Sequence, residues 1–190
     1  EELNKYIDSI VDSAQHLSKT IDDFRDFFKP NKEKKSFNIK KLGERTLSLL
    51  SSKFKNRDID VITNVKDVTI FGLENELIHV LMNILNNAQD ALNLLEQKPK
   101  LILIDAYEKE KELIITIQDN AGGIPEEIID RIFEPYFTTK HQKQGTGIGL
   151  YMTEEIIKKH MNGYIAVKNQ TFMYENQSCK GAKFIIKIPI

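Results

Sequence analysis

The segment from Glu74 to Leu95, ENELIHVLMNILNNAQDALNLL, constrains the fold most, because its apolar residues recur at helical spacing over about six turns. Projected at about 100° per residue, Leu77, Leu81, Ile84, Leu85, Ala88, Ala91, Leu92 and Leu95 form one broad arc. An arc that wide is too apolar to face water, so a second layer of structure must cover it. The 41% hydrophobic content of the 190 residues is enough to supply that layer. Asn83, Asn87 and Asp90, spaced four and three apart, run along one flank of the arc. Polar groups at such an edge are either solvated or occupied by a ligand, and the motif alone favours neither. Asparagine does suit a magnesium ion that already carries phosphate, since an amide oxygen adds coordination without further anionic repulsion.

The remaining periodicities supply the layer. Asn38 to Phe54 reads as an amphipathic helix, Ile59 to Val65 as a strand, and Val68 to Phe71 as a short extended piece. Leu101 to Tyr107 and Leu113 to Gln118 are β-rich runs separated by the charged turn EKEKE. An irregular stretch from Asp119 to Gly149 precedes a helix to about His160 and strands near Tyr164 to Lys168 and Ala182 to Ile188. The pattern predicts an α+β domain with mostly antiparallel strands layered on helices. Ahead of it, Leu3, Ile7, Ile10, Ala14, Leu17, Ile21, Phe24 and Phe28 form a helical seam of about four heptads that requires a partner helix. Pro30 stops that helix, and the charged run Asn31 to Lys35 marks a linker and a domain boundary. The expected division is therefore a bundle helix over 1–30, a linker over 31–36 and a globular domain over 37–190. The seam starts in full register at Glu1, which suggests a piece of a longer protein.

Composition narrows the partners. The 27 basic and 28 acidic residues nearly cancel, so no global field points to nucleic acid. Cys179 is the only cysteine, which excludes an internal disulfide and a multi-cysteine zinc site. No apolar run approaches the roughly 18 to 20 residues that span a bilayer. The expectation is a soluble, cytoplasmic segment without membrane contact of its own, whatever anchors lie upstream.

Two further motifs carry chemistry. Ile114 to Gln118 runs into Asp119, Asn120, Ala121, Gly122, Gly123, Ile124 and Pro125. A strand that ends in an acid and bends through consecutive glycines lets backbone approach a flat ligand, with a carboxylate at the rim able to accept a hydrogen bond from an exocyclic amine. An ordinary turn has the same composition. Gly145, Thr146, Gly147, Ile148, Gly149 and Leu150 then open a helical pattern, which would aim unpaired N–H groups at a phosphate chain. Between these motifs, Phe133 to Lys140, FEPYFTTK, reads as a lid with hydrophobic hinges or as a plain surface loop packed by its own phenylalanines.

In this order and spacing, the three motifs and the lid segment resemble the N, G1, F and G2 boxes of the histidine-kinase ATP-binding domain, in the superfamily that includes gyrase, the Hsp90 chaperone and MutL. The resemblance covers Phe37 to Ile190 and implies a Bergerat-type sandwich of helices on a mixed sheet, with ATP and Mg2+ held under the lid. It implies that Asn87 coordinates the metal, that Asn83 approaches phosphate and that Asp119 reads adenine. Gly123 matches the second glycine of the G1 pattern. Gly145, Gly147 and Gly149, with Thr146, Ile148, Leu150 and the lid residue Lys140, fall around the nucleotide. Ala121 stands where the family usually has glycine, and Gly181, Ala182, Phe184 and Pro189 resemble its closing GTxFxxxLP segment, with alanine for threonine. More weakly, residues 1–30 look like the second helix of a dimerisation bundle.

That resemblance implies transfer of the ATP γ-phosphoryl group to a histidine on a homodimeric bundle, and relay to the aspartate of a response-regulator receiver domain. None of His16, His79, His141 and His160 has the acid and proline context of an acceptor, so the expected behaviour is nucleotide binding without self-labelling. No catalytic base is assigned. Three alternatives share the nucleotide boxes: an ATP-driven clamp, which carries a catalytic acid on the N-box helix and a transducer domain; an anti-sigma-type serine kinase, which has no bundle helix; and a scaffold that binds nucleotide without transferring it.

Overall fold

The computed structural model describes Ile7, Val11, Ala14 and residues 33–96, 99–140 and 145–190. The rest of the expected bundle helix and its stop at Pro30, with His16, and also His141 in the lid run, lie outside the described residues. Ile7, Val11 and Ala14 are each helical and exposed.

The domain opens with β1 (Lys35–Asn38), where a linker was expected, and continues without a break into α1 (Ile39–Lys55). Asn38 ends the strand and caps the helix, its side-chain oxygen accepting the Lys41 N–H at 3.0 Å. After β2 (Ile59–Val65), the short strand β3 (Thr69–Gly72) pairs antiparallel with β1, Phe37 facing Ile70 in register. A four-residue strand with one buried residue has too little periodicity to stand out from a charged linker.

The arc-bearing helix is α2 (Glu74–Asn93). Leu77, Ile84 and Leu92 are fully buried, and Ile78 and Val80 are buried beside them, so the covered face is wider than the arc alone. The helix packs against α1, the sheet and a later helix, α4 (Gly149–Glu155), which explains the extra width. The sheet runs in the order β2, β4 (Lys100–Lys109), β5 (Glu112–Asp119), β7 (Gln177–Pro189), β6 (Tyr164–Tyr174). Only the β2–β4 pairing in it is parallel. Glu110 and Lys111 turn β4 into β5, and Glu175 and Asn176 turn β6 into β7, both pairs at positive φ as two-residue hairpin turns require.

Alternation along the strands decides where the core lies. Leu113, Ile115 and Ile117 of β5, Ile102 and Ala106 of β4, and Phe184, Ile186 and Ile188 of β7 face the helices in one cluster. Asp119 continues the β5 alternation, so it sits at the end of this apolar face, opposite Ile102.

The expected irregular stretch contains a one-turn helix, α3 (Glu126–Ile129), and the final helix closes in a π-helical turn over Ile156–His160. Both strands of the last hairpin are longer than expected. They reach Tyr174 and begin again at Gln177, because the consecutive polar residues Asn169, Gln170 and Thr171 break the alternation that marks a strand beyond Lys168.

Candidate functional site

Asp119 is 5% exposed, and its Oδ1 accepts two backbone N–H groups, from Ala121 at 2.9 Å and from Ala182 at 3.2 Å. Burial pushes its carboxyl above the usual range, against the lowering effect of N–H donors from Ala121, Ala182 and its own backbone. The carboxylate is therefore held in place by the fold, with lone pairs remaining on its second oxygen. The following Asn120 bridges to β4, accepting the Leu101 N–H at 2.8 Å and donating to the Pro99 carbonyl at 2.7 Å.

The turn after it explains why alanine is tolerated at 121. Positive φ falls on Gly122 and Gly123, at 90° and 92°, and not on Ala121. The Gly122 N–H donates to the Lys180 carbonyl at 2.8 Å. Gly181 presses on the other side, where a Cβ would come within 1.7 Å of the Asp119 carbonyl oxygen. Glycine there lets β7 pass directly over the acid.

A second cluster forms along the polar flank of α2. The Asn83 amide donates to the Gly149 carbonyl and to the Thr153 hydroxyl, each at 3.4 Å, tying the start of α4 to α2. Lys140 reaches down from the lid segment, its Nζ 3.3 Å from Asn87 Oδ1 and 2.6 Å from Asp90 Oδ2. The flank carries polar residues because these elements converge on it.

The glycine segment lies against the 136–140 run. Gly147, at φ 68°, sits where a Cβ would be 2.4 Å from the Tyr136 carbonyl carbon, and Tyr136 itself has φ 65°. A Cβ on Gly145 would meet the Thr138 hydroxyl at 2.8 Å, whereas one on Gly149 would meet Asn83 at an ordinary 3.5 Å. The Thr146 hydroxyl accepts the Ile148 N–H at 3.4 Å. Ile148 is buried, and Leu150 packs on the core. Phe133 meets Phe184 edge-on at 6.4 Å, and the Arg131 guanidinium lies 4.8 Å from the Phe137 ring centre, anchoring the root of the lid segment.

The structure thus gathers the sequence candidates into two groups: Asp119 and Gly123 at one end, and Asn83, Asn87, Lys140 and the 145–150 segment at the other. His79 is exposed on α2, and His160 pairs through Nδ1 with the buried carboxylate of Glu76 at 3.0 Å. Sequence reasoning missed Asn169. Its side chain accepts the Ile124 N–H at 2.8 Å and donates to the Ile124 carbonyl at 2.7 Å.

The asparagine flank fits a hydrated divalent cation. A positive group of the chain's own, the Lys140 ammonium, already sits between the oxygens of Asn87 and Asp90. No cluster of three or more His, Cys, Asp or Glu residues is placed to hold a metal among the described residues. An ion there would take most of its ligands from phosphate and water, as magnesium commonly does. Among the described residues, no helix is long and apolar enough to cross a membrane.

Comparison with known proteins identifies the family and the fold. Sporulation kinase A of Bacillus subtilis is 30% identical over 190 residues, which cover 97% of this chain and 29% of that protein. A putative sensor protein of Shewanella frigidimarina is 28% identical over 84% of this chain and 24% of its own length. The chain thus spans less than a third of these relatives. Among solved structures, the nucleotide-free catalytic domain of histidine kinase ThkA matches with a TM-score of 0.70 and 29% identity, over 83% of this chain and 95% of that one. Residues 72–190 match the family described as Histidine kinase-, DNA gyrase B-, and HSP90-like ATPase, and the chain belongs to that family.

Proposed function

We propose that this chain is the ATP-binding catalytic region of a sensor histidine kinase, passing the γ-phosphoryl group of ATP to a histidine for relay to a response-regulator aspartate. The observation that carries the reading is the buried Asp119 carboxylate, fixed by two backbone N–H groups at the edge of a glycine turn. Its free oxygen lone pairs accept the adenine amine, and the backbone of Gly122 and Gly123 admits the flat ring. Asn87 holds Mg2+, which when bound neutralises phosphate charge, while Asn83 and the 145–150 segment line the phosphate chain. Lys140 exchanges its contacts with Asn87 and Asp90 for phosphate oxygens. Catalysis then rests on positioning and charge compensation, and the chain supplies no covalent chemistry of its own.

The relay reading is supported by a second ThkA structure, solved in complex with the response regulator protein TrrA, which matches this whole chain at a TM-score of 0.71 and 25% identity. Residues 1–30 pair with a second copy as half of a four-helix bundle, joined to the domain that opens with β1 at Lys35. Ile7 and Val11, 49% and 46% exposed, offer apolar surface for that partner.

Calorimetric titration with ATP and GTP, each with and without magnesium, tests the site. ATP should bind more tightly than GTP, and Asn87→Ala should lose the magnesium-dependent part of the affinity. Equal binding of the two nucleotides by the unaltered chain would sink the assignment.

A further inference from the structure

We propose that Asn169 is a positioning residue for base selectivity, clamping the exit of the glycine turn so that Asp119 meets adenine in one fixed geometry. The inference rests on reading Asp119 as the base-binding acid.

Two consecutive glycines at φ 90° and 92° give that turn its shape and also the greatest conformational freedom a chain can have. A flat ligand gains selectivity from such a turn only if both ends are tied. The entry is tied by the Ala121 N–H to Asp119 and by the Gly122 N–H to Lys180. At the exit, Ile124 is followed by Pro125, which has no N–H to offer. The Asn169 carboxamide supplies the missing tie by pairing both the N–H and the carbonyl of Ile124, as a neighbouring strand would.

The placement of Asn169 links it to the acid. In the β6–β7 register Asn169 stands opposite Ala182, the residue whose N–H holds Asp119 Oδ1. One rung of the ladder therefore fixes the carboxylate from one side and the turn from the other. The same contact accounts for Gly123: a Cβ there would lie 2.5 Å from Asn169 Oδ1, so a side chain at 123 and the clamp exclude each other.

The test uses the full chain, titrated with ATP and with GTP, with hydrogen exchange followed at the Ile124 amide. Asn169→Ala should weaken ATP about tenfold while changing GTP little, the scale of ordering one released backbone residue on binding. Exchange at Ile124 should quicken. Asn169→Asp keeps the acceptor for the Ile124 N–H but sets an acceptor against its carbonyl, so it should recover part of the ATP preference; it also carries the test if the alanine variant does not fold. A merely structural asparagine would lower both nucleotides equally, and that result overturns the proposal. So does an unchanged ATP-to-GTP ratio in a variant whose Ile124 exchange has risen. Asp119→Asn separates the two levels. If it collapses the base preference while the Asn169 variants leave it intact, the positioning role alone fails. If the unaltered chain shows no base preference, the base-binding site fails and the proposal with it.

Discussion

At Asp119, burial raises the carboxyl pKa above its unfolded value, so protons bind the folded chain more readily than the unfolded one. The stability this group contributes is fully present below the ordinary aspartate range and is lost as pH rises through the raised folded value. Asp119→Asn removes that loss. Melting temperatures of the variant and parent should therefore diverge in the variant's favour as pH climbs through that window, while the variant binds ATP less well. Parallel melting curves over about pH 4 to 8 would contradict this. Two glycines give opposite expectations. Gly147→Ala combines φ 68° with a backbone clash against Tyr136 and should cost about 1–2 kcal/mol or more in chemical denaturation. Gly149→Ala finds only ordinary contact at Asn83 and starts a helix, so it should leave stability unchanged or raise it by up to about 1 kcal/mol.

Among the elements, α2 carries most of the inference, because one helix supplies both the core arc and the asparagine flank. Leu92 is fully buried on it, and Leu92→Ala should cost about 2–5 kcal/mol by denaturant titration. The Lys140–Asp90 pair on the flank is a third to a half exposed, so Lys140→Met should change stability by less than about 1 kcal/mol while weakening nucleotide binding. The arc and the flank were legible because a long helix repeats its period many times. The acid at the end of β5 was legible for a similar reason, since an apolar run stops abruptly at Asp119. What could not be read depends on pairing across long separations. Asn169 looks like any polar residue in the run KNQTF, and its meaning appears only when β6 brings it beside Ile124, 45 positions away in sequence. Lys140 meets Asp90 across 50 positions, and β1 is recognisable as a strand only through β3.

At the scale of the 190-residue chain, binding and transfer should come apart. The proposed nucleotide elements all lie within residues 83–182, whereas none of the four histidines has an acceptor context, and His160 is engaged by Glu76. Incubation with magnesium and γ-labelled ATP should leave no acid-labile, base-stable label on the chain. Label on His16, His79, His141 or His160 would show an unorthodox acceptor. The order of the sheet has a consequence for synthesis. Strand β5 pairs with β4 across a two-residue turn, but with β7 only much later in synthesis, since Gln118 stands opposite Lys183, 65 positions on. As the chain leaves the ribosome, α2 and its asparagines can dock early, while Asp119 gains the Ala182 N–H only after β7 has been made. A nascent chain therefore cannot complete the purine pocket proposed at Asp119 until β7 has emerged, and on that reading ATP meets a finished site only on chains that have closed the sheet.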